Sequence, residues 1–477
     1  MINNETHKID YYKNGNVQRE RYYFNGELHN ENGPAVINYY ENSNKYYEEY
    51  YINGKLHRKD GPAIIYYNEN KNKNHEKYYI NGKAYRENGP TEIHYYDTGL
   101  IRSERYYVNG KFHNENGPAV IYYYENGNVQ REKYFFNSKL HNENGPAVID
   151  YYENGNKYYE EYYINGEFHR EDGPAEIYYF NYDNSPINRE SYFINNKIHR
   201  ENGPAIIYYY ENGNVQIEKY YFNGKLHNEN GPAETYYYDT GLIKSKWYYI
   251  NGELHNENGP AIIHYYKNGN IHYEEYYING KLHRKDGPAI TYYDENGNKY
   301  CEEYFMNNRF HNKNGPAIID YYENGNICSE RYYINNKFDR KNGPAVINYY
   351  KNGTIQCEKY CYNGKIHRAN KPAIIEYYNN GNILSEQYYY NNKLQNNNGP
   401  AVIKYYKNGS IKLEEYFVNG DFIMTNKDIE KYINSTKPIK IKNINKLKIL
   451  YNICETRNLE DKLEEIGSIL LLKILQK

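Results

Sequence analysis

The stretch Pro118-Ala-Val-Ile-Tyr-Tyr-Tyr-Glu-Asn-Gly-Asn-Val-Gln-Arg-Glu-Lys-Tyr-Phe-Phe-Asn-Ser-Lys-Leu-His-Asn-Glu-Asn-Gly145 decides the fold, because the chain keeps rewriting it. A proline, nearly always in Gly-Pro, stands at residues 34, 62, 90, 118, 146, 174, 204, 232, 260, 288, 316, 344, 372 and 400. The step is 28 residues throughout, apart from one of 30. A fixed period of this length marks a linear repeat array, in which a unit contacts mainly its neighbours and none buries its apolar face alone. The array runs from about residue 8 to 422.

Within the unit, two β-prone runs are separated by Asn-Gly turns. Asn-Gly favours type I′ hairpins, so two turns per unit predict an antiparallel meander. The proline lacks a donor and belongs at a strand start. Along the first strand, Ala35, Ile37 and Tyr39 recur as Ala119, Ile121 and Tyr123 and as Ala317, Ile319 and Tyr321. The intervening fourth position wanders among Asn38, His94, Asp150, Glu376 and Lys404. Period two of this kind predicts a buried constant face and a solvent-facing wandering one. The fold class expected is therefore mainly β, an elongated antiparallel β-meander of about 14 units, closed by a small helical cap.

The second strand carries Glu20, Tyr22 and Phe24, repeated as Glu104, Tyr106 and Val108. Its glutamate recurs in every unit but one, where Lys246 replaces it, and it alternates in phase with core aromatics. A buried unpaired carboxylate is costly, so each glutamate should meet a tyrosine hydroxyl, a cation or the recurrent histidine. That histidine follows Leu, Phe or Ile in eleven units, with Tyr85, Asp339 and Gln395 in its place elsewhere. One histidine per unit spaces neighbours by roughly 10 Å, too far to share a metal ion. We expect a turn-stabilising role, no metal site and no cofactor.

The segment Tyr-Glu-Asn-Gly-Asn-Val-Gln-Ile-Glu-Lys-Tyr-Tyr-Phe-Asn-Gly-Lys-Leu-His, residues 210–227, resembles the variant MORN repeat. The likeness covers about residues 8 to 422. It implies stacked β-hairpins in a long sheet, and roles as interaction scaffolds, dimerisation elements or, as in bacterial antitoxin-like relatives, binders of a toxin protein. The unit departs from the usual one through its Asn-Glu-Asn-Gly-Pro-Ala insert and a histidine where glycine usually follows Leu. The AT-rich codon bias implied by abundant Asn, Lys, Ile and Tyr also resembles expanded repeat families of giant DNA viruses. Tyr-Tyr-Phe-Asn-Gly at residues 22–26 and 220–224 resembles carbohydrate-binding repeats, which rely on Trp, whereas this chain has one, Trp247.

Lys plus Arg number 59 against 61 Asp plus Glu, and this balance argues against nucleic-acid binding. Nucleotide-binding loops and the Gly-x-Ser-x-Gly and His-Glu-x-x-His motifs are missing, and every Glu and His of the unit is reiterated, so no enzyme is expected. Five cysteines, residues 301, 328, 357, 361 and 454, fit no disulfide framework and imply a reducing compartment. The N-terminus lacks a signal-like apolar core, and Ile469 to Leu475 is too short to span a bilayer. The expected location is intracellular, the host cytoplasm or virion for a viral protein.

Seventy tyrosines on a polar chain point to recognition of a protein partner through an extended Tyr-rich surface. Candidate contact residues are Tyr40, Tyr96, Tyr124, Tyr182 in the lengthened loop, and Trp247. A carbohydrate ligand is the alternative. From residue 423 helical patterning begins, over 428–434, 443–454 and 459–475, with Leu463, Ile466, Leu470 and Ile474 on one stripe. This segment should cap the last strand, while Lys437, Lys440, Lys442, Lys446 and Lys448 are candidate contacts for an anionic membrane or a partner. Residues 1–7 read as a tail, and the edge strand containing Ile9, Tyr11 and Tyr12 as a site for homodimerisation.

Overall fold

The computed structural model describes residues 5–182, 184, 186–334, 336–435, 441 and 443–475. The chain is mainly β, with 32 strands in an antiparallel meander and three helices at the C-terminal end. It divides into two compact units, Met1–Ile243 with Ile250–Gly252, and Lys244–Tyr249 with Glu253–Lys477. Both are built from the same repeat.

In the first unit, Val148–Tyr151 pairs with Lys157–Glu161, which pairs in turn with Glu176–Tyr179. The two Asn-Gly turns of the repeat differ. In the second, Asn165 and Gly166 have φ of 54° and 86°, as a type I′ turn requires. In the first, only Gly155 is positive, at 88°, and the register shifts at Asp150/Tyr151. The longer connection from Tyr152 to Asn156 makes it a bulged turn, with the Asn156 amide donating to Asn154 Oδ1.

The second strand also departs from expectation. It is continuous only in the outermost hairpins, as Val17–Phe24 and Ile411–Val418. Elsewhere it breaks at the central tyrosine: the Tyr162 amide bonds the Ala175 carbonyl, and Tyr163–Ile164 then pairs with Glu167–Phe168 in a separate short ribbon. Among the described residues there are thirteen such ribbons. Successive ribbons are tied together, as where the Gly166 amide donates to Leu140 O at 2.8 Å.

These ribbons correct the reading of the wandering face as a solvent face. Asn38 and Asp150 are buried, 6% and 7% exposed, and the second strand position is buried too, as at Val36 and Val148. The reason is visible in the second unit, where Tyr277 and Leu282 of one ribbon and Phe305 of the next pack with Ile290 and Tyr292. The sheet is partly covered on that side by its own chain, while Tyr66 and Lys404 in the fourth position stay exposed. On the constant face the repeated alanine is fully buried at thirteen positions. Thr91 takes the remaining one, and its hydroxyl donates to Arg105 O and accepts from the Tyr107 amide.

The first strand starts at Glu5 and the last hairpin runs to Thr425, so pairing extends beyond residues 8 and 422 at both ends. Helices α1 (Asn426–Ile433), α2 (Ile444–Thr456) and α3 (Glu460–Leu475) follow. Thr425 and Asp428 form a reciprocal capping box on α1, and Asn443 caps α2. Tyr416, Ile423 and Met424 of the last hairpin share a core with Ile429, Leu447, Leu450, Cys454 and Ile466. Among the described residues no helix is long and apolar enough to cross a membrane.

Candidate interaction surface

Most constant residues are spent on joining one repeat to the next. The constant glutamate lies opposite the first-strand Ile, as Glu20 and Glu48 flank Ile37. It accepts from the tyrosine nineteen residues on: Tyr39 to Glu20 at 2.7 Å, Tyr95 to Glu76 at 2.8 Å, Tyr179 to Glu160 at 2.8 Å. Thirteen such bonds are present among the described residues. Of the partners expected for the glutamate, tyrosine is the regular one. Lysine is an additional one in four repeats, as where Lys157 Nζ reaches Glu160 at 2.6 Å. Where Lys246 replaces the glutamate, its ammonium sits 5.9 Å from the Tyr265 ring centre.

Nδ1 of His113, His169 and His367 is buried without a hydrogen-bond partner, but in six other repeats the recurrent histidine is a backbone acceptor. Its Nδ1 takes the amide of the turn asparagine 24 residues on, as in Asn53 to His29 at 3.1 Å and Asn81 to His57 at 3.2 Å. Asp339 does the same for Asn363 at 2.8 Å, so the position needs an acceptor rather than an imidazole. His57-Arg58-Lys59 and Asp339-Arg340-Lys341 are alike in sequence around it. Accordingly, His57→Asp is expected to change stability by no more than about 0.5 kcal/mol, and His57→Leu to cost about 1 kcal/mol, in denaturant unfolding.

The next residue is either Asn or Arg, a pattern not singled out in the sequence. Both satisfy the proline carbonyl four residues on, Asn142 Nδ2 at 2.9 Å from Pro146 O and Arg58 Nη1 at 3.2 Å from Pro62 O. The arginines also lie on the tyrosine of the strand break, Arg58 at 3.9 Å from the Tyr50 ring centre and Arg368 at 3.5 Å from that of Tyr360.

Tyr40, Tyr96 and Tyr124 are half-buried at the hairpin turns. Their hydroxyls donate to Tyr67 O, Tyr123 O and Tyr151 O, at 3.2, 2.7 and 2.8 Å, and so stitch neighbouring repeats. Tyr182 is 47% exposed, and a hydrogen bond to Glu211 raises its phenol. Trp247 is half-buried, with its indole N–H on Ser245 Oγ at 3.1 Å and its edge toward His264. Lys437, Lys440 and Lys442 lie outside the described residues. Lys446 and Lys448 are on α2, half-buried and exposed respectively.

Beside these bonds runs a row on the wandering face, formed by the fourth residue after each proline and its register partners, some of which also pair across repeats, as Arg19 does with Asn38. In the first unit Tyr66 stands between Tyr47 and His75, Asp150 between Arg131 and Tyr159, and Tyr178 between Tyr159 and Arg189. Tyr159 and Tyr178 have ring centres 4.4 Å apart, and the Arg189 guanidinium lies 5.2 and 5.5 Å from the rings of Tyr178 and Tyr208. Arg131 pairs with Asp150 at the wall of a 420 Å³ cleft that Tyr122, Tyr124 and Tyr158 also line.

In the second unit the row turns smaller and more acidic. His264 lies between Ser245 and Tyr273, Asp320 between Cys301 and Ser329, and Glu376 between Cys357 and Ser385. Ser385 donates to Glu376 at 2.6 Å. Burial raises the carboxyls of Glu161, Glu275 and Glu303 beside the row, and pushes the Cys357 thiol up to about 11. The chemistry therefore changes from one repeat to the next along a scaffold that does not.

The profile described as MORN repeat variant matches residues 119–137 and 319–335. MORN repeats generally serve interactions with proteins or membranes. No curated protein is significantly similar to the chain in sequence. Among solved structures, a TcdB2–TccC3–TEV crystal structure is similar at 11% identity, covering 87% of this chain and 26% of that chain, with a TM-score of 0.12. Choline binding protein F from Streptococcus pneumoniae is 12% identical, over 67% of this chain and 98% of that chain, with a TM-score of 0.18. Alternansucrase in complex with isomaltononaose is 14% identical, over 67% and 21%, with a TM-score of 0.14. The chain thus spans about a quarter of the first of these, and likeness at such scores bears on neither its fold nor its function. The two matched segments hold the strands and turn that the fold repeats through both units, so the repeated β-meander is consistent with an array of variant MORN repeats.

Proposed function

We propose that the chain is a non-catalytic scaffold that binds a protein partner through the row of changing residues on its Tyr-rich sheet. One observation supports this above the rest. The constant glutamates and turn tyrosines, and histidines such as His29 and His57, are occupied between repeats, whereas Tyr66, Tyr178, Arg189, Asp320 and Glu376 share one row, keep part of their surface in solvent and differ in chemistry. Stability alone needs no such variation, since position four accepts Asn, Tyr, His, Asp, Glu and Lys without altering the register. Tyrosine and arginine are also the side chains that anchor protein interfaces most often.

The test is affinity capture from the cells that make the protein, with the full chain and a Tyr178→Ala, Arg189→Ala, Tyr208→Ala variant in parallel. A Tyr362→Ser, Tyr390→Ser variant, changed at exposed tyrosines off the row, is the control. A stoichiometric protein retained by wild type and control and reduced at least about tenfold by the row variant is the expected result. Equal retention by all three, or recovery of polysaccharide or anionic lipid alone, would sink the reading.

A further inference from the structure

Two histidines outside the recurrent set meet across adjacent repeats. His75 is in the strand Lys73–Lys77 and His94 in Glu92–Tyr95, directly opposite in register, with Glu92 two residues before His94 and so on the same face. Their separation of nineteen is the offset that also joins each glutamate to its tyrosine, which is how the pair is legible in the sequence. The imidazoles stack with ring centres 3.9 Å apart and an interplanar angle of 15°. His75 Nε2 lies 2.7 Å and His94 Nε2 3.0 Å from Glu92 Oε1. The three candidate ligand atoms all fall within 4.8 Å of one another.

We propose that His75, Glu92 and His94 form a site for one divalent transition-metal ion of the zinc class, with water as the remaining ligand. The donor set is two imidazoles and a carboxylate, the chemistry that suits zinc rather than magnesium or calcium. Tetrahedral zinc holds its N and O ligands at about 2.0–2.2 Å, hence about 3.3 Å from one another. From 2.7 and 3.0 Å, the distances to Glu92 need to open by about 0.6 and 0.3 Å. His75 Nε2 is buried and, close as it is to Glu92, makes no directed hydrogen bond. His94 Nε2, by contrast, is hydrogen-bonded to Glu92 Oε1 at 3.0 Å.

Lys77 Nζ and Arg105 Nη1 approach the same carboxylate oxygen at 3.5 and 3.8 Å. Both are on flexible stems and about a third exposed, so an entering cation displaces them toward solvent. Burial works against ionisation of Glu92, but the two imidazoles and Lys77 overcome it and hold the carboxyl well below its usual range. Burial likewise lowers His75, against the pull of Glu92. The bound ion joins two adjacent repeats at one place in the first unit.

The experiment is calorimetric titration of the chelator-stripped full chain with zinc, repeated with cobalt to read its visible absorption. His75→Tyr and His94→Tyr are variants that should fold, because tyrosine already occupies the equivalent positions at Tyr47 and Tyr66. Glu92→Gln keeps side-chain size, and His272→Gln controls for adventitious histidine binding. Changes outside the ligand shell already cost about 10–100-fold in metal affinity. We expect one equivalent of zinc, tetrahedral cobalt bands, and losses beyond that range in the three ligand variants but not in His272→Gln. Absence of stoichiometric uptake, or uptake unchanged in His75→Tyr and His94→Tyr, would overturn the proposal.

Discussion

Leu450→Ala is expected to unfold the C-terminal helices while the repeats stay folded. Leu450 is 1% exposed and shares its core with Leu447, Cys454, Ile466 and, from the last hairpin, Tyr416, Ile423 and Met424. Truncating a fully buried leucine costs about 2–5 kcal/mol through lost transfer energy and the cavity left behind. The helices have 8, 13 and 16 residues, lengths at which isolated helices are marginal in water, so packing supplies most of their stability. A repeat array couples mainly between neighbours, so the loss should stay local. Hydrogen exchange provides the measurement: amides of 444–475 lose protection and those of the repeats keep it. Once uncovered, the last hairpin offers a strand edge and apolar side chains, so self-association should rise in size-exclusion chromatography. Full protection of α2 in the variant would show that its order does not depend on this core.

The second large effect is alkaline unfolding through the glutamate–tyrosine bonds. Burial first, then the Glu274 carboxylate, pushes Tyr293 up to about 12, and Tyr349 beside Glu330 likewise reaches about 12. The phenols of Tyr67, Tyr123 and Tyr179 are raised for the same reasons. For an acid whose folded value lies above its unfolded value near 10, the folded state holds the proton longer. Its stabilisation is complete below pH 10 and is lost as pH climbs toward 12. Because thirteen bonds of this kind recur, the losses accumulate along both units. We expect tyrosinate absorbance to rise in two stages, the second coinciding with loss of the β signal in circular dichroism. Tyrosinate formation complete near pH 10 with the sheet intact would contradict the coupling. Tyr179→Phe removes one bond and leaves buried Glu160 with fewer donors, at a cost of about 1–3 kcal/mol.

The sequence by itself determined the repeat, its hairpins and the buried Ala-Ile-Tyr face, because period and alternation are local properties that a strand must obey wherever it lies. It also showed that a glutamate in phase with Ile37 and Tyr39 needs a partner, since the cost of burying a bare carboxylate does not depend on topology. Only the tertiary structure decided which partner, because Glu20 and Tyr39 meet through a strand register nineteen residues long, and alternation says which face a residue occupies but not which neighbour it reaches. The equivalence of Asn142 and Arg58 was hidden for a similar reason: unlike side chains serve one carbonyl. The covering of the wandering face was decided the same way. A break at Tyr162 sends the end of the strand into a ribbon, and in the second unit such ribbons cover Ile290 and Tyr292, burial that no pattern within the strand itself encodes.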